Sequence, residues 1–136
     1  MPKSTALVSD VHNLVARGTV PSWNSNSNLF LSLHTASPGV GGSQTTNEAN
    51  YTGYARVAIS RDVAGMLISG GSISNAALVQ FGACTSGSNT LTHFAIGTAT
   101  SGTGQVLYFE ALTTSFTVTA PIQPQFGTGT MTITEA

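Results

Sequence analysis

Apolar and polar residues alternate along several short segments of the chain. Leu29, Leu31 and Leu33 recur at every second position, a pattern typical of a half-buried strand. The same alternation runs through residues 54–60. Further short strands are predicted near residues 66–69, 76–81, 91–98, 105–112, 115–119 and 130–134, each bounded by Gly, Ser or Asn. Many short strands without a strand–helix–strand rhythm predict a mainly β protein, an antiparallel β-sandwich or jelly-roll-like domain.

The N-terminal residues follow a helical period instead. Apolar side chains fall on one helical face, at Leu7, Val11, Leu14 and Val15. Ser4 can cap the start of this helix and Gly18 can close its end, so the sequence predicts one N-terminal α-helix over residues 4–17. A polar stretch follows it, and we expect residues 1–27 to form a helix and linker arm and residues 28–136 the β-sandwich domain. The helix should pack on a neighbour or on the domain edge.

Charge is scarce and unevenly distributed along the chain. There are four basic and five acidic residues, giving a formal net charge of −1, and after Asp62 the charged residues are Glu110 and Glu135. A surface of hydroxyls and amides is easily buried against another protein, because little charge has to be desolvated. The lack of a basic patch disfavours nucleic-acid and membrane partners. The composition therefore indicates a structural or binding module within an assembly.

Ionisable groups suited to catalysis are few. The histidines are scattered, at positions His12, His34 and His93. They lack the spacing of a metal site, and we expect His34 and His93 to face outward from their strands. The single Cys84 is expected in the core. The sequence thus predicts no catalytic residue, no metal and no cofactor. A hydrolase built on Glu48, within the long loop 36–53, or on Asp62 is the remaining enzymatic alternative.

Two small groups of side chains could contact a partner. The densest charge cluster comprises Arg56, Arg61 and Asp62. It is either a local surface ion pair of little energetic value or an anchor that fixes the docking register. Trp23 is either a core plug or an exposed interface anchor. Tyr51 and Tyr54 are open to two interpretations of their own, as interface groups or as platforms for a ligand.

Longer segments of the chain resemble a known family. The matching motifs are Leu29–Gly39, Gly53–Ile59, Ser74–Phe81, Thr92–Gly97 with the following Ser101-Gly102 turn, and Pro124–Ile133. Together they resemble the small virion structural proteins of tailed bacteriophages, which are often labelled tail-fibre proteins. The resemblance covers nearly the whole chain. It implies no enzyme activity and supplies no catalytic residue.

The resemblance and the composition together predict a capsid decoration, or cement, protein. Such a protein would bind the outer surface of the icosahedral head, after synthesis in the cytoplasm of the host bacterium. Its partners would be the major capsid protein and itself, as a homodimer or homotrimer. The residues expected at these contacts are Leu7, Val11, Leu14, Trp23, Tyr51, Tyr54, Arg56 and Arg61.

A second function remains open at this point. A tail or tail-fibre component could bind glycans on the host surface, with exposed Trp23, Tyr51 and Tyr54 stacking on the sugar rings. Location in the virion and copy number distinguish this function from capsid decoration.

Overall fold

Nine strands, one α-helix and one 3-10 turn form the regular structure of the described part of the chain. A computed structural model describes residues 3–134. The helix is α1 (Thr5–Arg17), and a 3-10 turn follows at Ser22–Ser25. The strands are β1 (Asn28–His34), β2 (Val57–Ser60), β3 (Met66–Ser69), β4 (Ser72–Asn75), β5 (Val79–Gln80), β6 (Asn89–Gly97), β7 (Val106–Val118), β8 (Gln125–Phe126) and β9 (Thr132–Thr134).

The strands form antiparallel sheets that enclose one main core. The largest sheet has the order β2-β1-β6-β7, and smaller sheets have the orders β3-β4-β9 and β5-β8. Core residues come from all three sheets, including Leu31 and Phe94 from the large sheet, Val79 from β5 and Ile133 from β9. The predicted class, a mainly β antiparallel sandwich with one N-terminal helix, is confirmed. The jelly-roll-like description stays a prediction.

The ends of α1 follow the local signals in the sequence. The Ser4 hydroxyl accepts a hydrogen bond from the Leu7 amide at 3.0 Å. Gly18 adopts the left-handed conformation with φ of 65°, and its amide bonds to carbonyls of the last turn. Both contacts satisfy backbone groups that a helix leaves unpaired at its ends. The predicted helix is therefore confirmed to within a residue.

The start of α1 is attached to the β domain. The Ser4 amide donates to the Leu107 carbonyl at 3.0 Å and the Thr5 amide to the Val40 carbonyl at 2.8 Å. Leu7 is buried, whereas every residue from 11 to 20 is exposed. The helix thus docks through its first turns only. The division into an arm of residues 1–27 and a domain of residues 28–136 stays a prediction.

Strand β1 is buried on both faces, which corrects the predicted outward position of His34. Ser32 and His34 are fully buried, as are Leu31 and Leu33. The His34 ring bonds to the Ser32 hydroxyl through Nε2 and to the Thr46 carbonyl through Nδ1, both at 2.8 Å. The reason is tertiary, because the loop 36–53 folds across the second face of the strand. His93, on the neighbouring β6, is half-buried rather than fully outward.

Two of the predicted strands are joined, and two observed strands lie outside the predicted ranges. The segments 105–112 and 115–119 form the single strand β7, yet its pairing with β6 shifts between them. Leu91 pairs with Phe116 and His93 pairs with Ala111, so one residue of β6 faces four of β7. The predicted strand 76–81 is reduced to β5. The alternation pattern predicts neither β4 nor β8.

Burial lowers the pKa of His34, and this gives a first prediction about pH. Burial disfavours the charged form of the ring, while the Thr46 carbonyl accepts from Nδ1 and Nε2 lies in hydrogen-bond contact with the Ser32 hydroxyl. Glu48 favours protonation, whereas Arg56 and His93 oppose it. The folded pKa of His34 lies below the ordinary histidine value of about 6.5. The stability that depends on an uncharged His34 is therefore present above about pH 6.5 and is lost as pH falls through the folded pKa.

Urea unfolding between about pH 7.5 and about pH 5 measures this effect. The free energy of unfolding should decrease with falling pH, and His34→Gln should flatten the decrease. The control is Asn13→Gln, an exposed helical substitution that removes no titratable group and should therefore keep the pH profile of the parent protein. An identical pH slope in the parent and in His34→Gln would contradict the assignment.

Candidate interaction surface

The residues that the sequence suggested for partner contacts lie in two separate places. Leu7, Val11, Trp23 and Arg61 line one cleft beside α1. The others, Tyr51, Tyr54 and Arg56, lie in or beside the interior of the β domain. Leu14 is about half exposed on the helix, at 47%. The structure therefore divides the predicted contact set into a surface group and an internal group.

The cleft lies between α1 and the β3–β4 hairpin, and we call it the helix cleft. Its volume is about 680 Å³. The lining is mainly aliphatic, and it comprises Leu7, Val11, Trp23, Leu29, Arg61, Asp62, Val63, Met66, Leu67, Ile68, Ile73, Leu107 and Tyr108. A concave, mostly apolar surface with a few polar groups at its border has the composition of a binding site.

Apolar side chains at the mouth of the helix cleft are strongly exposed. Val63 is 84% exposed, Ile68 78%, Leu67 49% and Val11 43%. Val15, further along α1, is 80% exposed. Isolated apolar side chains on a surface are ordinary, but a contiguous group of them marks a surface that binds another molecule. The cleft mouth and the outer turns of α1 form such a group.

Trp23 is held rigidly at one end of the cleft. Its Nε1 donates to Asp10 Oδ2 at 2.8 Å, which ties the 3-10 turn to α1. The Arg61 guanidinium lies 5.4 Å from the centre of the Trp23 ring, within range of a cation–π contact. Arg61 also donates from Nη1 to the carbonyls of Asn24 and Asn26, both at 2.8 Å. Trp23 is therefore a fixed, half-buried wall of the cleft.

Asp62 stabilises the turn after β2 through hydrogen bonds to its carboxylate. Its carboxylate accepts from the Ser60 hydroxyl at 2.8 Å and from the amides of Ala64 and Gly65 at 3.0 and 3.1 Å. The bond from Ser60, followed by the two amides, lowers the pKa of Asp62. The suggested cluster with Arg56 and Arg61 is corrected accordingly, since each of the three side chains has its own separate set of partners.

Arg56 belongs to an internal ion pair. Its Nε and Nη2 donate to the two oxygens of Glu48 at 2.7 and 2.8 Å. Further bonds run to the carbonyls of Ala99 at 3.0 Å and Gly102 at 2.7 Å. The Arg56 side chain is 3% exposed and that of Glu48 15%. The pair therefore connects the loop 36–53, the start of β2 and the loop between β6 and β7.

The two tyrosines are also engaged internally. The Tyr54 hydroxyl donates to Glu48 Oε2 at 2.6 Å, and the Tyr51 hydroxyl donates to the Gly82 carbonyl at 2.7 Å. Burial raises the pKa of Tyr51 to about 12, and burial followed by the bond to Glu48 raises that of Tyr54. Tyr54 stacks on Phe81, with 6.2 Å between ring centres. The expectation of exposed platforms is wrong for Tyr51, which is 4% exposed, because the core packs around its ring.

Among the described residues, Glu48 and the other ionisable groups do not form an exposed cluster of the kind that catalysis requires. Both Glu48 oxygens accept from Arg56, and one also accepts from Tyr54. Cys84 is confirmed as a buried residue, with its thiol directed at the carbonyls of Ser86 and Gly87. Among residues 3–134, no group of three or more His, Cys, Asp or Glu side chains is placed to hold a metal ion.

Sequence reasoning missed the far wall of the cleft. The sequence predicts a short strand near residues 66–69 but does not identify Val63, Leu67 or Ile68 as contact residues. One signal was available, since Met66-Leu67-Ile68 is apolar at three consecutive positions in a four-residue strand. Such a run predicts apolar side chains on both faces of the strand. What the sequence did not indicate is that this strand lies opposite α1.

The internal position of Arg56 gives a second prediction. Removing one partner of a buried ion pair leaves an uncompensated charge, which costs about 3–5 kcal/mol. Arg56→Met should therefore lower the free energy of unfolding by about that amount, measured by urea denaturation. Adding Glu48→Gln should recover part of the loss, because the carboxylate charge is then absent. The control Thr119→Met, at an exposed position just after β7, should stay within about 0.5 kcal/mol. Equal effects of Arg56→Met and Thr119→Met would refute the internal role.

Comparison with known proteins assigns the chain to a family. No curated protein matches it, but a family model described as "Podophage GP4 fiber I protein gp80" matches residues 2–134. Among the residues that the structure describes, no helix is both long enough and apolar enough to cross a membrane. The resemblance to small virion structural proteins of tailed phages is thereby confirmed. The chain belongs to the family of podophage GP4 fiber I protein gp80, a family of phage structural proteins.

Proposed function

We propose that this protein is a structural subunit of a podophage fibre, joined to its neighbours through the helix cleft and the exposed face of α1. The observation that carries the proposal is the contiguous set of exposed aliphatic side chains there, led by Val15, Val63 and Ile68. Exposing such a group to water is unfavourable, and burying it contributes roughly 25 cal/mol per Å² of apolar surface. The family to which the chain belongs supports a place in the fibre.

The charges of the chain support the same type of contact. Arg56 and Glu48 pair with each other inside the protein. Arg61 donates to backbone carbonyls and lies over the Trp23 ring. We therefore expect these three side chains to contribute little charge–charge attraction to another virion protein. Apolar burial, with hydrogen bonds from the hydroxyl- and amide-rich surface, supplies the attachment instead. An assembly of this type is insensitive to ionic strength.

Capsid decoration, the function first expected from the sequence, stays a prediction about location. The same cleft could in principle be covered by the major capsid protein on the outside of the head, but the family description favours the fibre. Glycan binding is supported less well, because two of the three proposed aromatic side chains are engaged internally. The hydroxyls of Tyr51 and Tyr54 donate hydrogen bonds within the protein. Trp23 is packed against Arg61. The fibre role proposed for this chain is therefore one of assembly.

Location tests the proposal directly. Purified virions and tailless heads from the same lysate would be compared by quantitative mass spectrometry, with the major capsid protein as the internal standard. A fibre subunit should be present in virions at a few tens of copies or fewer and missing from tailless heads. Copy numbers near that of the major capsid protein, with full retention on tailless heads, would establish decoration instead and overturn the fibre assignment.

Salt resistance tests the type of contact. The Debye length shrinks from about 8 Å at physiological ionic strength to about 3 Å at 1 M, so contacts between exposed charges weaken across this range. The fraction of the protein that cosediments with virions should change little between about 50 mM and about 1 M NaCl. A second virion protein known to be released by salt in the same gradient serves as the positive control. Steep loss of the protein across the range would show that charge holds it.

A further inference from the structure

The outer half of α1 lacks a covering partner within the chain. Leu7 is buried on the β domain, but the next apolar positions of the same stripe are exposed, with Val11 at 43%, Leu14 at 47% and Val15 at 80%. A helix of 13 residues is close to the length at which an isolated helix is only marginally stable. Helices of this kind gain their stability by packing an amphipathic face. The exposed stripe therefore calls for a covering surface.

We propose that the covering surface is a second copy of this chain, with the two α1 helices packed antiparallel about a two-fold axis. Asp10 and Arg17 are seven residues apart, or about two helical turns, and so flank the same side of the stripe. In an antiparallel pair the equivalent flanks of the two helices meet. Asp10 of one copy then lies beside Arg17 of the partner subunit, and two-fold symmetry repeats this contact.

The present contacts of Asp10 and Arg17 fit this arrangement. Asp10 Oδ2 accepts from Trp23 Nε1 and from Gln105 Nε2, each at 2.8 Å, and both donors are neutral. These bonds fix the carboxylate without compensating its charge. Arg17 is exposed in the last turn of α1. Each helix therefore presents a fixed negative group and an exposed positive group at the spacing that an antiparallel copy requires.

Parallel packing, as about a three-fold axis, is less favourable. It would set the flank that carries Asp10 and Arg17 against the opposite flank of the partner helix, so that the two charges would not meet. It would also align the helix dipoles side by side, whereas antiparallel helices place opposite ends together. Antiparallel packing is thus the arrangement that uses the charges of the stripe favourably.

The helix cleft extends the contact beyond the helices. Val63 and Ile68 stand at its mouth next to the stripe and are among the most exposed aliphatic residues of the protein. Specific interfaces bury about 800 Å² per partner, and the stripe together with the cleft mouth offers an apolar centre for such a contact. A net charge of −1 per chain adds little repulsion between copies. The dimer does not depend on the fibre role, because it concerns the isolated chain.

Sedimentation velocity over a concentration series tests the dimer on the full chain. The unmodified protein should be a dimer at micromolar concentration. Val15→Asp should weaken the dimer more than about tenfold, because the new carboxylate would be buried in the contact. The matched control is Ala16→Asp, at the next residue on the polar side of the helix, and it should stay within about twofold of the parent. A monomeric or trimeric parent, or equal behaviour of the two variants, would overturn the proposal.

A double-mutant cycle tests the antiparallel register. Asp10→Asn keeps an oxygen that can accept from Trp23 and Gln105 but removes the charge, and Arg17→Gln removes the opposite charge. If the two side chains meet across the interface, their effects on the dissociation constant should be coupled by about two- to fivefold, as for an exposed ion pair. Urea unfolding of each variant shows whether the monomer is intact. Additive effects in intact monomers would exclude this register.

Discussion

The ion pair between Arg56 and Glu48 is the contact on which the arrangement of the β domain depends. A bidentate guanidinium–carboxylate contact is strong and directional. When it is removed from water, its remaining donors and acceptors require further hydrogen-bond partners. The structure supplies them through Tyr54 and through the carbonyls of Ala99 and Gly102. Three segments far apart in sequence are thereby held at one point. The loop 36–53 is among them, and this loop buries the second face of β1.

Burial of that face explains the state of the groups around it. His34 can be enclosed because Ser32 and the Thr46 carbonyl satisfy both ring nitrogens, which is the condition for burying a polar group at low cost. Tyr54 is placed by its bond to Glu48 and by stacking on Phe81. The polar interior is therefore a connected network in which the described groups support one another, and it orders a long loop without regular secondary structure.

Using the charges internally leaves the surface with few of them. Arg61 is directed at backbone carbonyls and Trp23, and Asp62 at its own turn. The surface near α1 is consequently apolar. A neighbour would contact it at the cleft mouth and at the outer turns of the helix. The ion pair of this chain stabilises the fold, and its exposed aliphatic side chains lie near α1. Such a chain is suited to a permanent position in an assembly, where a neighbour covers that apolar surface.

The sequence by itself determined the elements whose causes are local. Ser4 and Gly18 specify the ends of α1 because capping involves only neighbouring backbone groups, and the alternation of Leu29, Leu31 and Leu33 specifies a strand with one face in the core. The tertiary structure alone decided what covers the other face. His34 appeared to face solvent because period-two reasoning assigns polar positions to water. Only the fold brings a later loop over that face, and only the fold places β3 opposite α1 to make the cleft. Burial of a face depends on segments distant in sequence, and the pattern of a single strand carries no information about them.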